Sequence, residues 1–152
     1  DFWPVQPIVA IRTPIIRQLA MATLNLGMFK LIVHRGVFYK SHITPEIMNY
    51  FFVPMRDGIG RKAFLHFARC LNNHHLLEIA DQLKQLLTPM LIVRGNADVY
   101  LGSAISEKLH AGIPGSELVI VPDAGHFIQF DVPEKLYLII LKFIKSHEYG
   151  EG

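Results

Sequence analysis

Apolar residues along this chain follow two rhythms, and the change between them falls near residue 86. Before it the spacing is helical. Trp3 to Pro14 holds Pro4, Pro7 and Pro14, which predicts an irregular or briefly helical lead-in. Thr13-Pro14 reads as an N-cap and first-turn pair opening a helix over about 14–23. Leu24, Met28, Leu31, Ile32 and Val33 give a broad apolar face to a second helix, about 25–38. Thr44-Pro45-Glu46 opens a third, carrying Ile47, Met48, Phe51 and Phe52 and ended by Pro54. Asp57 is placed to cap a fourth, through Phe64, Leu65, Phe67, Ala68 and Leu71. Asn72-Asn73 breaks that pattern, and a shorter helix follows over about 75–86.

After Thr88-Pro89 the rhythm alternates. Met90-Leu-Ile-Val93 and Leu118-Val-Ile-Val121 are short unbroken apolar runs bounded by Gly and Pro, the pattern of buried strands in a parallel sheet. The second region therefore reads strand 90–94, helix about 103–111, strand 117–121, helix about 133–146. Ser103 is the expected N-cap of the first of these helices. Pro133-Glu134 starts the second, with Leu136, Ile139, Ile140 and Phe143 as its buried stripe. Residues 1–86 and 87–152 thus form two architectural units, one helical and one α/β. Two strands are few for a stable sheet on their own, and the tail from His147 is expected to fray.

Composition narrows the class. With 152 residues, 51% hydrophobic and 18% charged, the chain has the length and apolar content of one folded domain. A net charge of +2 without any Lys/Arg run gives no footprint for nucleic acid. Arg12, Arg17, Lys30 and Arg35 interrupt the apolar first forty residues, so a membrane-spanning helix is not expected. The single Cys70 forms no internal disulfide, which suits a reducing, cytoplasmic setting.

Chemistry gathers at two strand ends. Arg94-Gly-Asn-Ala-Asp98 follows the first strand, and Pro122-Asp-Ala-Gly-His126 follows the second. Both tips leave the carboxyl edge of the sheet, where open α/β folds bind ligands. Asp98 and His126 are thereby expected within hydrogen-bond reach, the Asp facing Nδ1 and fixing the tautomer, as in the acid–base half of a catalytic triad. Asp123 is a rival partner by proximity, but following Pro122 it reads as a tight-turn residue. His74-His75 are neighbours that do not share a helix face, so no metal or other cofactor is expected. Gly58-Ile-Gly60-Arg61 follows no strand, and a helix start explains it better than a phosphate loop. Phe38, Tyr39, Tyr50, Phe51, Phe52, Phe64 and Phe67 are read mostly as core of the helical region, with a few facing the pocket.

Taken together, Thr88–Asp98, Ile113–His126 and Asp131-Val-Pro-Glu134 resemble the end of an α/β-hydrolase. In that family the triad runs nucleophile, acid, histidine. The acid comes three residues after a Gly, here Gly95 to Asp98, and the histidine in a Gly-His pair, here Gly125-His126. Residues 7–86 resemble the helical cap inserted before the last strands. The resemblance implies a partial α/β-hydrolase fold, its carboxyl-terminal strands and helices, with an all-helical cap. It assigns Asp98 and His126 as catalytic and puts Trp3 and Phe127 against substrate. The family often carries a proline about four residues after the acid, where this chain has Leu101-Gly102, so that loop is expected to differ. Ser41, Ser103, Ser106, Ser116 and Ser146 lack the flanks of a nucleophile elbow. The nucleophile is therefore expected from an amino-terminal half of the same fold, this chain alone being inactive. The implied function is hydrolysis of a small apolar ester-like substrate. The alternatives are an epoxide hydrolase or haloalkane dehalogenase with an Asp nucleophile, or a non-catalytic piece that needs a partner chain or associates with itself.

Overall fold

A computed structural model describes residues 28–70 and 78–147. Trp3, the expected helix over 14–23 and the Asn72-Asn73 break lie outside them. The chain divides into two compact units, residues 1–35 with 43–79, and residues 36–42 with 80–152.

In the first unit, α1 (Met28–Gly36) ends two residues before the expected boundary, and its last residue already belongs to the second unit. Next come α2 (Pro45–Phe52), a 3₁₀ turn over Val53–Met55 and α3 (Gly58–Cys70). α2 starts where Thr44-Pro45-Glu46 was expected to open it, and the Asp57 cap anticipated for α3 is present. The Thr44 hydroxyl accepts from Ile47 N–H at 3.2 Å, and Asp57 Oδ1 accepts from Gly60 N–H at 2.7 Å. As expected, α2 ends ahead of Pro54: the helix closes at Phe52, and Pro54 sits inside the 3₁₀ turn. Val33 and Met48 are buried, but Tyr50 and Phe67 are mostly exposed, against the expectation that they form core. Tyr50 stands two positions from Met48, roughly 200° around the helix, and so faces away from it.

The second unit carries the sheet. Of the helix expected over 75–86, the described residues show Glu78 as helical and, after a turn at Ile79, the single turn α4 (Ala80–Leu83). β1 (Leu91–Gly95) and β2 (Glu117–Val121) pair in parallel, from Leu91 opposite Glu117 to Gly95 opposite Val121. α5 (Ser103–Gly112) makes the crossover between them. Its N-cap is Gly102 rather than Ser103, which is already helical and lends its carbonyl to the Ser106 hydroxyl at 2.9 Å. A short turn not anticipated, α6 (Ile128–Asp131), precedes α7 (Pro133–Ser146), whose span matches the sequence reading. Val121, Ala124 and Ile128 form the core, packed by Val93, Val119, Val132, Leu136 and Ile139. Ile140, expected in the buried stripe, is 40% exposed. Among the described residues no helix is long and apolar enough to cross a membrane.

Candidate active site

Parallel register carries both strand tips to one edge and keeps them together past the strands. Asn96 N–H donates to Val121 O at 2.9 Å, and Ala97 N–H to Ala124 O at 3.0 Å, extending the ladder into the loops. Side chains are excluded where the tips cross. A Cβ on Gly95 would strike the carbonyl oxygens of Ala124 and Gly125, and one on Gly125 would strike that of Gly36.

Asp98 is held by its own loop. Its Oδ1 accepts from Tyr100 N–H at 2.8 Å and Leu101 N–H at 3.0 Å, an Asx-type arrangement that aims the second oxygen elsewhere. Arg94 closes the same loop from the strand, donating through Nε and Nη2 to Leu101 O at 3.3 and 2.9 Å. The free oxygen, Oδ2, lies 3.0 Å from His126 Nδ1. A carboxylate only accepts, so in the neutral ring the proton sits on Nδ1 and the lone pair is left to Nε2. The Asp98 side chain is 7% exposed and that of His126 33%, so the acid is sealed in while the ring can still be reached. Two aromatic rings meet the imidazole edge-on, Tyr100 with centroids 5.2 Å apart and Phe127 at 5.1 Å. Both members of the pair line a cavity of about 230 Å³ whose other walls include Ile92, Leu101, Ile105, Leu109 and Ile128.

Comparisons with known proteins bear on this arrangement. No family model matches the chain. An L-allo-isoleucyltransferase of Pseudomonas savastanoi pv. glycinea is 34% identical over 110 residues, 72% of this chain and 38% of that protein. The hydrolase YugF of Bacillus subtilis strain 168 is 32% identical over 106 residues, 70% of this chain and 38% of that protein. YisY of the same organism, an AB hydrolase superfamily protein, is 25% identical over 109 residues, 72% of this chain and 39% of that protein. Two solved structures share the fold. A haloalkane dehalogenase variant, DbeA-M1 from Bradyrhizobium elkanii, superposes with TM-score 0.72 at 16% identity, covering 95% of this chain and 51% of that one. The esterase EaEST from Exiguobacterium antarcticum gives 0.64 at 19%, covering 92% and 48%. The chain belongs to the α/β-hydrolase superfamily. It spans less than two fifths of the length of these curated relatives and about half of the solved hydrolases.

Of the residues singled out from sequence, the structure brings Asp98, His126 and Phe127 together. Trp3 and His74-His75 lie outside the described residues. Asp123 does not contact His126. It takes φ 55°, the left-handed conformation of a tight turn, and its N–H donates to Asn96 Oδ1 at 3.0 Å. Sequence reasoning missed Tyr100 and Asp131. Tyr100 becomes visible only once the Asx turn is known to fold its ring toward the histidine. Asp131 is 2% exposed and accepts three backbone N–H groups, from Phe38, Tyr39 and Gly125. Its signal was Asp131-Val-Pro-Glu134, which carries part of the resemblance but gave the acid no role.

Proposed function

We propose that Asp98 and His126 are the acid and histidine of a hydrolytic triad acting on a small apolar ester-like substrate. The nucleophile in this proposal comes from an amino-terminal half of the same fold. The observation that carries the reading is the 3.0 Å contact between Asp98 Oδ2 and His126 Nδ1 beside an accessible ring. With Nδ1–H committed to the carboxylate, Nε2 takes the proton of an attacking hydroxyl. Asp98 then stabilises the imidazolium, which returns the proton to the leaving group.

Apolar walls from β1 and α5 favour a hydrocarbon-rich substrate held by few polar anchors. Phe127, and Trp3 with the helical residues before 86 acting as a cap, would add to that preference. The amino-terminal half is supported by what this unit leaves uncovered. β1 pairs on one side only among the described residues, and Ile120, Tyr137, Leu138 and Ile144 are 43–61% exposed. Self-association is the competing way to cover these residues, and sedimentation of the assembled and isolated chains separates the two. The lone Cys70, exposed on α3, suits a cytoplasmic enzyme.

The test is steady-state kinetics of the assembled enzyme on p-nitrophenyl esters of increasing chain length, with and without His126→Ala. The variant should lose on the order of 10²–10⁴-fold in kcat, medium or long esters should be preferred, and residues 1–152 alone should be inactive. Turnover untouched by His126→Ala would refute the triad, and a preference for short charged esters would refute the substrate class. Turnover restricted to epoxides or haloalkanes would place His126 as activator of water against an alkyl-enzyme ester on an Asp nucleophile.

A further inference from the structure

We infer that Asp131 is a positioning residue for His126. Its carboxylate fixes the backbone beside the histidine against the stretch Gly36–Tyr39, a role that rests on reading His126 as the base. Asp131 is buried, and no Lys or Arg pairs with it among the described residues. A buried charge without a counter-ion is costly unless its oxygens are fully hydrogen-bonded. Here they are. Oδ1 accepts from Phe38 N–H at 2.7 Å and Tyr39 N–H at 2.9 Å, and Oδ2 accepts from Gly125 N–H at 2.7 Å.

The position of those donors gives the carboxylate its meaning. Gly125 is the residue before His126, and Phe127, the residue after it, donates its N–H to Gly36 O at 3.2 Å. The histidine is thus bracketed: both flanking N–H groups are tied, directly or through Asp131, to residues 36–39. The α6 turn makes this reach feasible, because Asp131 N–H returns to Phe127 O at 3.3 Å and folds the carboxylate back over the loop. Asp98 fixes the ring from its polar side, and Asp131 fixes the backbone from which the ring hangs. A neutral isostere cannot do both jobs. Asparagine can keep its oxygen on the Phe38/Tyr39 pair, but its NH₂ then faces Gly125 N–H, donor against donor.

Asp131→Asn therefore releases the Gly125 arm while preserving shape. It is tested in the assembled enzyme beside Asp131→Glu, Ser116→Ala and His126→Ala. Ser116 is a buried hydroxyl whose bonds go to His110 and Ile113, away from the pair. Two readouts are taken: ester kinetics, and the ¹⁵N-filtered NMR signal of the His126 Nδ1 proton.

Asp131→Asn should lower kcat on the order of 10–100-fold with KM little changed, since misplacing a catalytic group by about 1 Å costs up to ~100-fold. The Nδ1 proton signal should broaden or vanish, and Asp131→Glu should recover part of both. Ser116→Ala should lower Tm and leave kcat and the signal as they were. Wild-type kcat and an intact Nδ1 signal in Asp131→Asn would overturn the inference, even where His126→Ala abolishes turnover. An intact signal in Asp131→Asn would also overturn it if the enzyme proves indifferent to His126→Ala, an outcome that separately refutes the base assignment. Equal loss of kcat in Ser116→Ala and Asp131→Asn would reduce Asp131 to a stability role.

Discussion

The loops that follow β1 and β2 deliver one member each of the Asp98–His126 pair, and they are held in opposite ways. After β1 the side-chain restraints on the acid are local, while Asn96 and Ala97 bond across to the β2 side. Asp98 binds N–H groups two and three residues ahead, and Arg94 binds a carbonyl seven residues ahead. After β2 the restraints are remote. Gly125 is tied through Asp131 to Phe38 and Tyr39, 93 and 92 positions from that acid, and Phe127 is tied to Gly36. An acid that only has to present an oxygen can be set by a turn. A ring that must present one nitrogen to the acid and leave the other free needs its backbone fixed as well, and six residues of loop do not supply enough bonds.

Changing the shared contact itself has the largest effect. Asp98→Asn keeps the local acceptor for Tyr100 and Leu101 but offers an NH₂ to Nδ1. The ring must then accept there and carry its proton on Nε2, so kcat should fall on the order of 10³–10⁴-fold with Tm nearly unchanged. Steady-state kinetics beside a thermal melt checks both halves.

Gly125→Ala attacks the remote restraint, driving a methyl into the Gly36 carbonyl. A loss of about 1–3 kcal/mol in a denaturant titration is expected from such overpacking, with turnover falling alongside. Wild-type stability in this variant would mean that the two segments do not meet as closely as described.

Arg94→Met removes a local restraint only. Asp98 retains its own turn, so kcat should drop less than about tenfold, and stability should fall by about 0.5–1.5 kcal/mol, the scale of a partly exposed hydrogen bond. A collapse in kcat as deep as that of Asp98→Asn would show that the loop does not hold its acid unaided. Asn96→Ala has the smallest expected effect. It deletes the exposed link to Asp123 N–H between the loops and should cost at most about 1 kcal/mol in a chemical melt.

The same contrast explains what could be read from the sequence. Asp57 as a cap, α2 from Thr44-Pro45, α7 from Pro133, the parallel strands and the Asp98–His126 contact all follow from signals within a few residues of the feature, combined with one rule about strand order. The end of α1 does not. Its apolar pattern continues past Gly36, while the chain leaves the helix at that glycine and is held there by tertiary contacts, Gly36 O with Phe127 and the Phe38 and Tyr39 amides with Asp131. Asp131 was missed for the same reason, since all three of its donors but one lie more than ninety positions away. Tyr50, Phe67 and Ile140 were misplaced because helical spacing marks an apolar residue without saying which part of the apolar arc a neighbour covers.

The most direct measurement is the ¹⁵N spectrum of the His126 ring in the assembled enzyme, taken where the ring is neutral. A protonated-type signal at Nδ1, coupled to its hydrogen, with a bare-nitrogen signal at Nε2 is expected, and Asp98→Asn should exchange the two. A wild-type ring that carries its proton on Nε2, or that divides it evenly between the nitrogens, would contradict the assignment of Asp98 as orienting acid and His126 as base.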